Sequence, residues 1–377
     1  MPRSGIPPPP VVTRIPLVES GREGKRVWSW TLNQEDFGEA GRRPVFPAYP
    51  PPDLDKEHLL RQVGVDPPAF RRRLVFMGGG LVFILLLLAL GGPVEEGRVS
   101  LPHVAEIAPS LSLPLEMNRQ VEGWMERYLT DQRHVFQRYL EREGLYSDMI
   151  RESLRNRGMP EDLVFLAAIE SGFTPSAISR VSAMGMWQFM GPTAEAFGLR
   201  IDGYVDERRD PIRATEAALD YLQALHDRFG SWYLAAAAYN AGPTRVAWAL
   251  SQQKGDQAGE EELYWQIVDL LPRETGAYVP KILAAILLAR TAEEYGFEVE
   301  RSKPVRFDRV WVPGGTALAT VAKAVDVPLT RIRELNPHLL RGVTPPGEPF
   351  GIRVPPGKSP LVVAYLGSRW RRVNVDD

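Results

Sequence analysis

The chain has 377 residues, a length that predicts two or three domains, and 45 Lys and Arg residues nearly balance 47 Asp and Glu residues. The resulting formal net charge of −2 provides no general attraction for nucleic acid, so we expect no nucleic-acid partner. The lack of cysteine excludes disulfides, thiolate metal sites and a lipid-modified N-terminal cysteine, and five scattered histidines without an HExxH pattern predict no metal site.

The first segment, residues 1–73, is rich in proline and contains the runs Pro7 to Pro10 and Pro50 to Pro52. Few apolar residues recur periodically here, which is typical of a disordered arm with local polyproline II character. Such an arm can bind a partner through its PxxP-like segments, or it can be a solvated linker.

Residues 74–92 carry no charge and are mostly apolar. As a helix they would measure about 28 Å, close to the thickness of a hydrocarbon core. Three arginines, Arg71 to Arg73, precede the stretch, whereas Glu95 and Glu96 follow it. The positive-inside bias therefore predicts one transmembrane helix with a cytoplasmic N-terminus. A buried core helix and a cleaved signal peptide are the alternatives.

After a linker at 93–114, the pattern is helical, and we expect an all-helical domain over 115–300. Apolar residues at three- and four-residue spacings and capping residues predict its helices. These are a helix over 115–142, one from Pro160 to Gly172, one from Asp210 to Phe229 closed by Gly230, one from Ser231 to Asn240 closed by Gly242, and one from Pro272 to about Tyr295.

The texture changes in residues 301–357, where WVPGG, TALATVAKAVDV, LTRIRELNP and FGIRVPPG follow one another. This order predicts a small βααβ unit. Residues 358–377 read as a C-terminal tail. The expected fold class is therefore mainly α, with one small mixed module at the C-terminal side.

Glu170 is the strongest candidate for acid–base chemistry. It follows the apolar run LVFLAAI and ends a predicted helix. Burial and the negative helix terminus both disfavour a carboxylate, so the pKa of Glu170 should be raised, as a general acid near neutral pH requires. Taken alone, an ordinary Glu on a solvated last turn fits this position as well.

Two further clusters have ordinary explanations when taken singly. Residues 185–190, GMWQFM, combine flat apolar surface with one amide that could hold a hydroxyl or acetamido group, or they could be core packing. Residues 238–242, AYNAG, could belong to a site or simply end a helix.

Taken together, four segments resemble the successive motifs of the lytic transglycosylase family, which is built on a goose-type lysozyme fold. These are ESGF at 170–173, GMWQFM at 185–190, AAYNAG at 237–242 and LPRETGAYVPK at 271–281. The similarity is greatest to the membrane-bound lytic murein transglycosylase D subgroup. It implies a lysozyme-like all-helical catalytic domain.

The resemblance implies a role for each matching residue. The single catalytic acid falls on Glu170. The substrate-binding positions fall on Ser171, Ser179, Gln188, Met190, Tyr239, Asn240 and Tyr278. Trp187 replaces the methionine found in many relatives, which should alter packing without removing a chemical group.

The implied substrate is peptidoglycan, cut between N-acetylmuramic acid and N-acetylglucosamine with formation of a 1,6-anhydro ring. Neither metal nor other cofactor is implied. The only acidic residue expected at the reacting centre is Glu170, although a carboxylate distant in sequence could fold into the site. A lysozyme-type hydrolase and a non-catalytic wall-binding scaffold are the two alternative functions.

Residues 301–357 resemble a LysM carbohydrate-binding module through Gly314-Gly315-Thr316, Asn336-Pro337 and the closing strand at 352–355. Glycine stands where that module usually has aspartate. Glycan binding by this unit is one expectation, and a purely structural module is the other. As a separate module it should be dispensable for cleaving soluble glycan fragments.

The subgroup's usual lipid-attachment cysteine is missing, which favours the membrane helix as the anchor. We therefore expect a single-pass inner-membrane protein with a periplasmic catalytic domain. The expected partners are peptidoglycan strands, the membrane through residues 74–92, and possible cell-wall synthesis or division proteins that bind the arm.

Overall fold

The computed structural model describes residues 112–253 and 261–373, all within one compact unit that spans residues 53–377. The predicted arm at 1–73, the predicted membrane helix at 74–92 and most of the linker at 93–114 lie outside the described residues. Among the helices within the described ranges, none combines the length and the apolar composition needed to cross a bilayer.

The larger part of the described chain is helical, as the sequence predicts. Its α-helices are α1 (Arg119–Leu129), α2 (Arg133–Asn156), α3 (Val164–Ser171), α4 (Gly191–Ala196), α5 (Pro211–Phe229), α6 (Trp232–Ala241), α7 (Pro243–Ser251), α8 (Glu262–Ile267), α9 (Arg273–Gly276) and α10 (Tyr278–Arg290). Short 3-10 turns lie at Glu161–Leu163, Glu207–Arg209, Val268–Leu270 and Ala292–Tyr295.

Local capping residues set several of these helix ends. The Asp210 carboxylate accepts hydrogen bonds from the first-turn amides of α5, and the Ser231 hydroxyl accepts one from the Leu234 amide of α6. Gly172 and Gly230 close α3 and α5 in the left-handed conformation that glycine adopts without steric cost. The predicted C-terminal ends of α3, α5 and α6 are therefore confirmed to within a residue, whereas α3 begins at Val164, after a 3-10 turn that follows the predicted start at Pro160.

The single helix predicted over 115–142 is wrong. The structure has α1 and α2 with a break at Thr130, whose hydroxyl donates to the Glu126 carbonyl at 2.8 Å. The second helix then continues to Asn156, well beyond the predicted end.

The single helix predicted from Pro272 to Tyr295 is also divided, into α9, α10 and a 3-10 turn. The Tyr264 hydroxyl, which comes from α8, contacts the carbonyls of Thr275 and Gly276 at 3.2 and 2.9 Å. A side chain remote in sequence thus binds the carbonyls where α9 ends. The spacing of apolar residues along 272–295 gives no information about this contact, so the sequence does not predict the division.

The core of the helical domain surrounds α6. Residues Ala235 to Ala238 of this helix are buried, and their small side chains let α5, α7 and α10 approach closely. Helix α3 is buried over residues 164–169, and it packs against α2 and α10. The C-terminal end of α3 is thereby held next to the N-terminal end of α10.

The C-terminal module contains β1 (Asp308–Val312), α11 (Leu318–Val325), α12 (Leu329–Leu335), β2 (Phe350–Val354) and α13 (Ser359–Val373). The two strands pair antiparallel, with Val310 opposite Ile352. The predicted βααβ order is confirmed. Where the sequence predicted a tail from residue 358, however, α13 packs on β1 and α11 and buries Val362, because the apolar face of the module needs a cover.

Candidate active site

Glu170 lies in the last turn of α3, where the buried helix ends. The chain turns at Gly172 and Phe173, which both have left-handed φ values of 58° and 56°. A left-handed conformation is unfavourable for a bulky residue such as phenylalanine, and Phe173 keeps it because its side chain is buried in the core. The sharp turn fixes the place at which the Glu170 side chain leaves the helix.

The Tyr278 hydroxyl, at the start of α10, donates a hydrogen bond to Oε1 of Glu170 at 2.5 Å. Burial raises the pKa of Glu170 from 4.5 to about 7, against the opposing effects of the Tyr278 hydrogen bond and the positive charge of Lys281. The negative charge of Glu274 adds to the rise. Glu170 can therefore hold a proton near neutral pH and also lose it.

The segment 182–190 forms a tight loop beside this acid. Gly185 has a φ of 84°, and a Cβ atom there would lie 1.7 Å from the Arg208 carbonyl oxygen, so only glycine fits. Gln188 also has a left-handed backbone, with a φ of 49°, and its side-chain Nε2 donates to the Gly185 carbonyl at 2.8 Å. Met190 follows with 45% of its surface exposed. Met190 is therefore available to a ligand.

Two of the predicted site residues tie this loop to the helical core. The Ser171 hydroxyl donates to the Met186 carbonyl at 2.8 Å, and the Tyr239 hydroxyl donates to the Trp187 carbonyl at 2.8 Å. Trp187 itself is fully buried, and its indole N–H donates to Thr215. Ser171 and Tyr239 thus act on the loop backbone in the structure.

Ser179 and Asn240 have similar supporting positions. The Ser179 hydroxyl accepts a hydrogen bond from the Ala183 amide at 2.9 Å and so closes the turn that precedes the loop. Asn240 Oδ1 accepts a hydrogen bond from the Thr275 hydroxyl at 2.7 Å. Because Thr275 lies in α9, Asn240 holds the segment that leads to Tyr278.

The structure thus brings the predicted residues together in two groups. Glu170 and Tyr278 are in direct contact, whereas Gln188 and Met190 belong to the adjacent loop. The remaining four residues fix the backbone of one segment or the other. They are Ser171, Ser179, Tyr239 and Asn240.

Sequence reasoning missed Lys281 and Glu274, which both act electrostatically on Glu170. Burial lowers the pKa of Lys281, and attraction by Glu170 and Glu274 opposes this effect. The Lys281 ammonium also lies 5.6 Å from the Trp124 ring centroid. The helical spacing could have indicated Lys281, since a residue three positions after Tyr278 shares its helix face.

Within residues 112–253 and 261–373, no group of three or more His, Asp and Glu side chains is arranged to hold a metal ion. The described site contains one hydrogen-bonded carboxyl group, the two charges of Lys281 and Glu274 that act on it, and the loop beside them.

Comparison with protein families gives two matches. Residues 148–261 match the Transglycosylase SLT domain, and residues 306–368 match the Lytic transglycosylase MltD, LysM-like domain. The first match contains three of the four motifs and ends before LPRETGAYVPK at 271–281, and the second overlaps the predicted module. The predicted resemblance is therefore confirmed. The second match extends into α13, in agreement with the packing of that helix on the module.

Similar curated proteins include the membrane-bound lytic murein transglycosylase D of Escherichia coli K12, which is 31% identical over 234 residues. The alignment covers 62% of this chain and 51% of that protein, so the chain spans about half the length of this relative. The soluble lytic murein transglycosylase of the same strain is 30% identical over 145 residues, covering 37% of this chain and 22% of that protein.

Among solved structures, the 70 kDa soluble lytic transglycosylase of Escherichia coli aligns with a TM-score of 0.32 and 27% identity. That alignment covers 41% of this chain and 25% of the other. The inactive E503Q mutant of a lytic transglycosylase from Pseudomonas aeruginosa aligns with a TM-score of 0.32 and 25% identity, over 39% of this chain and 24% of that one.

Proposed function

Because the chain carries a transglycosylase SLT domain followed by a LysM-like domain, we propose that it is a peptidoglycan lytic transglycosylase. It would cleave the β-1,4 bond between N-acetylmuramic acid and N-acetylglucosamine and leave a 1,6-anhydro-muramic acid end. The observation that carries the proposal is Glu170, a half-buried carboxyl group whose pKa lies near neutrality and whose position Tyr278 fixes.

In the first step the protonated Glu170 gives its proton to the glycosidic oxygen. The bond from C1 of the muramoyl residue to that oxygen breaks, and the N-acetylglucosamine unit leaves with a free hydroxyl. Positive charge develops at C1, and the substrate's own acetamido group shares it. General acid catalysis of this kind is typically worth 10²- to 10⁴-fold in rate.

In the second step the Glu170 carboxylate takes the proton from the C6 hydroxyl of the same muramoyl residue. The C6 oxygen then bonds to C1 and closes the anhydro ring. The enzyme regains its proton, and no water is consumed. The Tyr278 hydrogen bond and the Lys281 charge stabilise the carboxylate between the two steps.

The loop at 182–190 is the proposed sugar-binding surface. The Gln188 amide nitrogen donates to the Gly185 carbonyl, so its Oε1 atom is the group offered to a hydroxyl or acetamido N–H, and exposed Met190 offers an apolar floor. Ser171, Ser179, Tyr239 and Asn240 support substrate binding through the hydrogen bonds that hold this loop and the Tyr278 segment.

A product analysis tests the proposed reaction. Purified murein digested with the full chain should yield muropeptides that end in 1,6-anhydro-muramic acid, one water lighter than lysozyme products. Glu170→Gln keeps the shape but cannot donate a proton, so turnover should fall by about 100-fold or more while binding survives. Exposed Glu293→Gln is a matched control that should cleave normally.

Three other outcomes would contradict the proposal in different ways. Reducing ends in the digest would identify a lysozyme-type hydrolase. Full activity in Glu170→Gln would remove Glu170 from the chemistry, and a chain that binds murein without cutting it would be a wall-binding scaffold.

We also propose that the enzyme is held at the inner membrane by one helix at 74–92, with the arm 1–73 in the cytoplasm and the catalytic domain, 115–300, in the periplasm. The three arginines before the apolar stretch support this orientation. A cytoplasmic reporter fused after residue 65 should be active, and an external reporter should be active after residue 110. The reverse pattern would contradict the proposed topology.

The proposed partners are peptidoglycan strands and, through the proline-rich arm, cell-wall synthesis or division proteins. The LysM-like module, predicted over 301–357, is the proposed second contact with the wall. Glycan binding by this module can be measured by sedimentation with insoluble murein. Unchanged sedimentation after Trp311→Ala, a change at an exposed aromatic of β1, would argue against this face as a glycan contact.

A further inference from the structure

A buried ion pair joins the C-terminal module to the catalytic domain. The Arg353 guanidinium, in β2, contacts both carboxylate oxygens of Asp210 at 2.6 Å. Both residues are buried, with 8% and 4% of their surfaces exposed. Asp210 is also the capping residue of α5. A buried pair of this kind is costly to break, because each charge would be left without its partner.

A row of backbone contacts runs beside this pair. Val205 of the catalytic domain forms an antiparallel bridge with Leu339 of the module, and its side chain is buried in the module's hydrophobic core. The Asp206 amide donates to the His338 carbonyl at 3.0 Å, and the Leu340 amide donates to the Tyr204 carbonyl at 2.9 Å. The segment 204–206 therefore completes one edge of the module.

The chain between the two domains also lies against the catalytic domain. The Ser302 amide donates to the Glu141 carbonyl at 2.7 Å, and the Val305 amide donates to the Leu145 carbonyl at 3.1 Å. Gly144 allows this approach, since a Cβ atom there would lie 2.0 Å from the Ser302 carbonyl oxygen. The connecting segment is thus packed along α2 and is not a free tether.

From this contact between the two domains, the Arg208 side chain reaches the proposed sugar-binding loop at 182–190. The Asp206 carboxylate accepts two hydrogen bonds from Arg208, at 2.9 and 2.7 Å. Arg208 in turn donates to the carbonyls of Ser182 and Phe189, both at 3.3 Å. The backbone of Arg208 also packs directly against Gly185. The segment 206–210 therefore lies between the module on one side and the loop 182–190 on the other.

We propose that Arg353 is a positioning residue of the active site, through which the LysM-like module holds the loop that carries Gln188 in its binding conformation. The path runs from Arg353 to Asp210, along the segment to Arg208, and from Arg208 to the loop carbonyls. Its effect on catalysis depends on the proposed transglycosylase function, whereas the mechanical coupling does not. The expectation that the module is dispensable for cleaving soluble fragments is accordingly replaced by the opposite one.

Hydrogen exchange of the full chain, purified in detergent, measures the coupling without any substrate. Arg353→Lys keeps the charge but removes the planar guanidinium, whose Nη2 contacts both Asp210 oxygens while its Nη1 donates to the Leu335 carbonyl. Amides in a peptide covering 182–190 should exchange roughly tenfold faster than in the wild type. Arg331→Lys, an exposed substitution in the same module, is the matched control and should leave the peptide unchanged.

Wild-type exchange at 182–190 in Arg353→Lys would overturn the proposal, even if the contacts at 203–206 and 338–341 loosened. If this variant fails to fold, Arg353→Met combined with Asp210→Asn removes both buried charges together. Faster exchange at 182–190 in this double variant supports the proposal. If the double variant exchanges at the wild-type rate, the Arg353–Asp210 pair serves only to neutralise two buried charges and does not hold the loop. That result would overturn the proposal.

Kinetics on a soluble glycan fragment provide the second measurement. Because Arg353 acts on the sugar-binding loop, Arg353→Lys should raise KM by roughly 10-fold or more and leave the pH dependence set by Glu170 in place. Combining it with Arg208→Lys should give less than the product of the two single effects, because both act along one path. Independent, multiplying effects would contradict this path.

The two proposals fail separately. If the wild-type chain releases no anhydro products yet Arg353→Lys loosens the 182–190 peptide, the proposed reaction is wrong and the positioning role stands. If the wild type cleaves murein and neither exchange nor KM responds to Arg353→Lys, the positioning role is wrong and the reaction stands.

Discussion

Tyr278 donates a hydrogen bond to Glu170 across a separation of 108 residues, at 2.5 Å. The contact joins the end of α3 to the start of α10, so it fixes both the acid and the helix that carries Lys281. The hydrogen bond favours the carboxylate and so lowers the pKa of Glu170, whereas burial raises this pKa by a larger amount. The balance leaves the pKa at about 7, where one group can serve first as acid and then as base.

Tyr278→Phe should move the pH dependence upward. Removing the hydroxyl removes a contact that favours the carboxylate, so the pKa of Glu170 should rise above about 7. The acid form then persists to higher pH, and the alkaline limb of kcat/KM should shift in the same direction. The rate should fall by roughly tenfold or more, since the acid is also less well positioned. The matched control is Tyr295→Phe, at an exposed site, and a downward shift of the limb would contradict this account.

Glu170→Gln should stabilise the fold at neutral and alkaline pH. The pKa of Glu170 is about 7 in the folded chain against 4.5 for an ordinary Glu, so the folded state binds its proton more tightly. As pH rises from 4.5 to 7, the wild type therefore loses stability that a glutamine cannot lose.

The Tm difference between Glu170→Gln and wild type should accordingly grow across this pH window and level off above it. Each kcal/mol should correspond to about 2–4 °C. Thermal unfolding at pH 4, 6 and 8 measures it. A difference that stays constant with pH would show that burial does not perturb this carboxyl group.

Glu274→Gln separates one-carboxylate from two-carboxylate chemistry. Glu274 raises the pKa of Glu170, so its neutralisation should shift the alkaline limb slightly downward and leave anhydro products. In a hydrolase, Glu274 would be the candidate for activating water, and its loss should abolish turnover. Mass spectrometry of the products, with exposed Glu293→Gln as control, distinguishes the two.

Gly185→Ala should disturb the loop that carries Gln188. The new Cβ would meet the Arg208 carbonyl oxygen at 1.7 Å, and the φ of 84° is unfavourable for alanine. We expect a loss of about 1–3 kcal/mol in unfolding free energy, together with a raised KM. Gly123→Ala, in α1 with open space around it, should instead be neutral or stabilising by up to about 1 kcal/mol. Equal effects of the two substitutions in urea unfolding would contradict the close approach at Gly185.

Acidification should weaken the joint between the two domains. Burial lowers the pKa of His338 to about 4, with the nearby Arg353 and Arg309 charges adding to the effect and Asp210 opposing it. In the unfolded chain the pKa of His338 is about 6.5. The contribution of neutral His338 to the free energy of unfolding is therefore fully present above pH 6.5 and is lost as the pH falls toward 4.

His338→Gln should therefore reduce the loss of stability between pH 7 and pH 5, as measured by the urea midpoint. The substitution His134→Gln, at an exposed position of α2, is the control and should retain the wild-type pH dependence. An identical loss in His338→Gln would show that another group causes the acid sensitivity.

Several features of the fold were predictable because their causes are local. Asp210 and Ser231 cap the helices that follow them, and Gly230 ends a helix by adopting a left-handed conformation. The division of 272–295 was not predictable, because it depends on Tyr264, a side chain from another helix. Of the candidate site, the sequence named Glu170 and residues 185–190, whereas the effect of the Lys281 and Glu274 charges on Glu170 follows from the placement of α9 and α10 beside α3.

The sequence by itself determined where α3, α5 and α6 end, the position of Glu170 after an apolar run, and the βααβ order of the module, since each follows from spacing and capping along the chain. Only the tertiary structure decided which partners these residues meet. Arg353 lies 143 residues from Asp210, and its sequence context resembles the closing strand of a wall-binding module. Its pairing with Asp210 comes from the packing of the two domains. A buried charge needs an opposite charge close by to offset its desolvation, and the local periodicity of the sequence does not show which residue that will be.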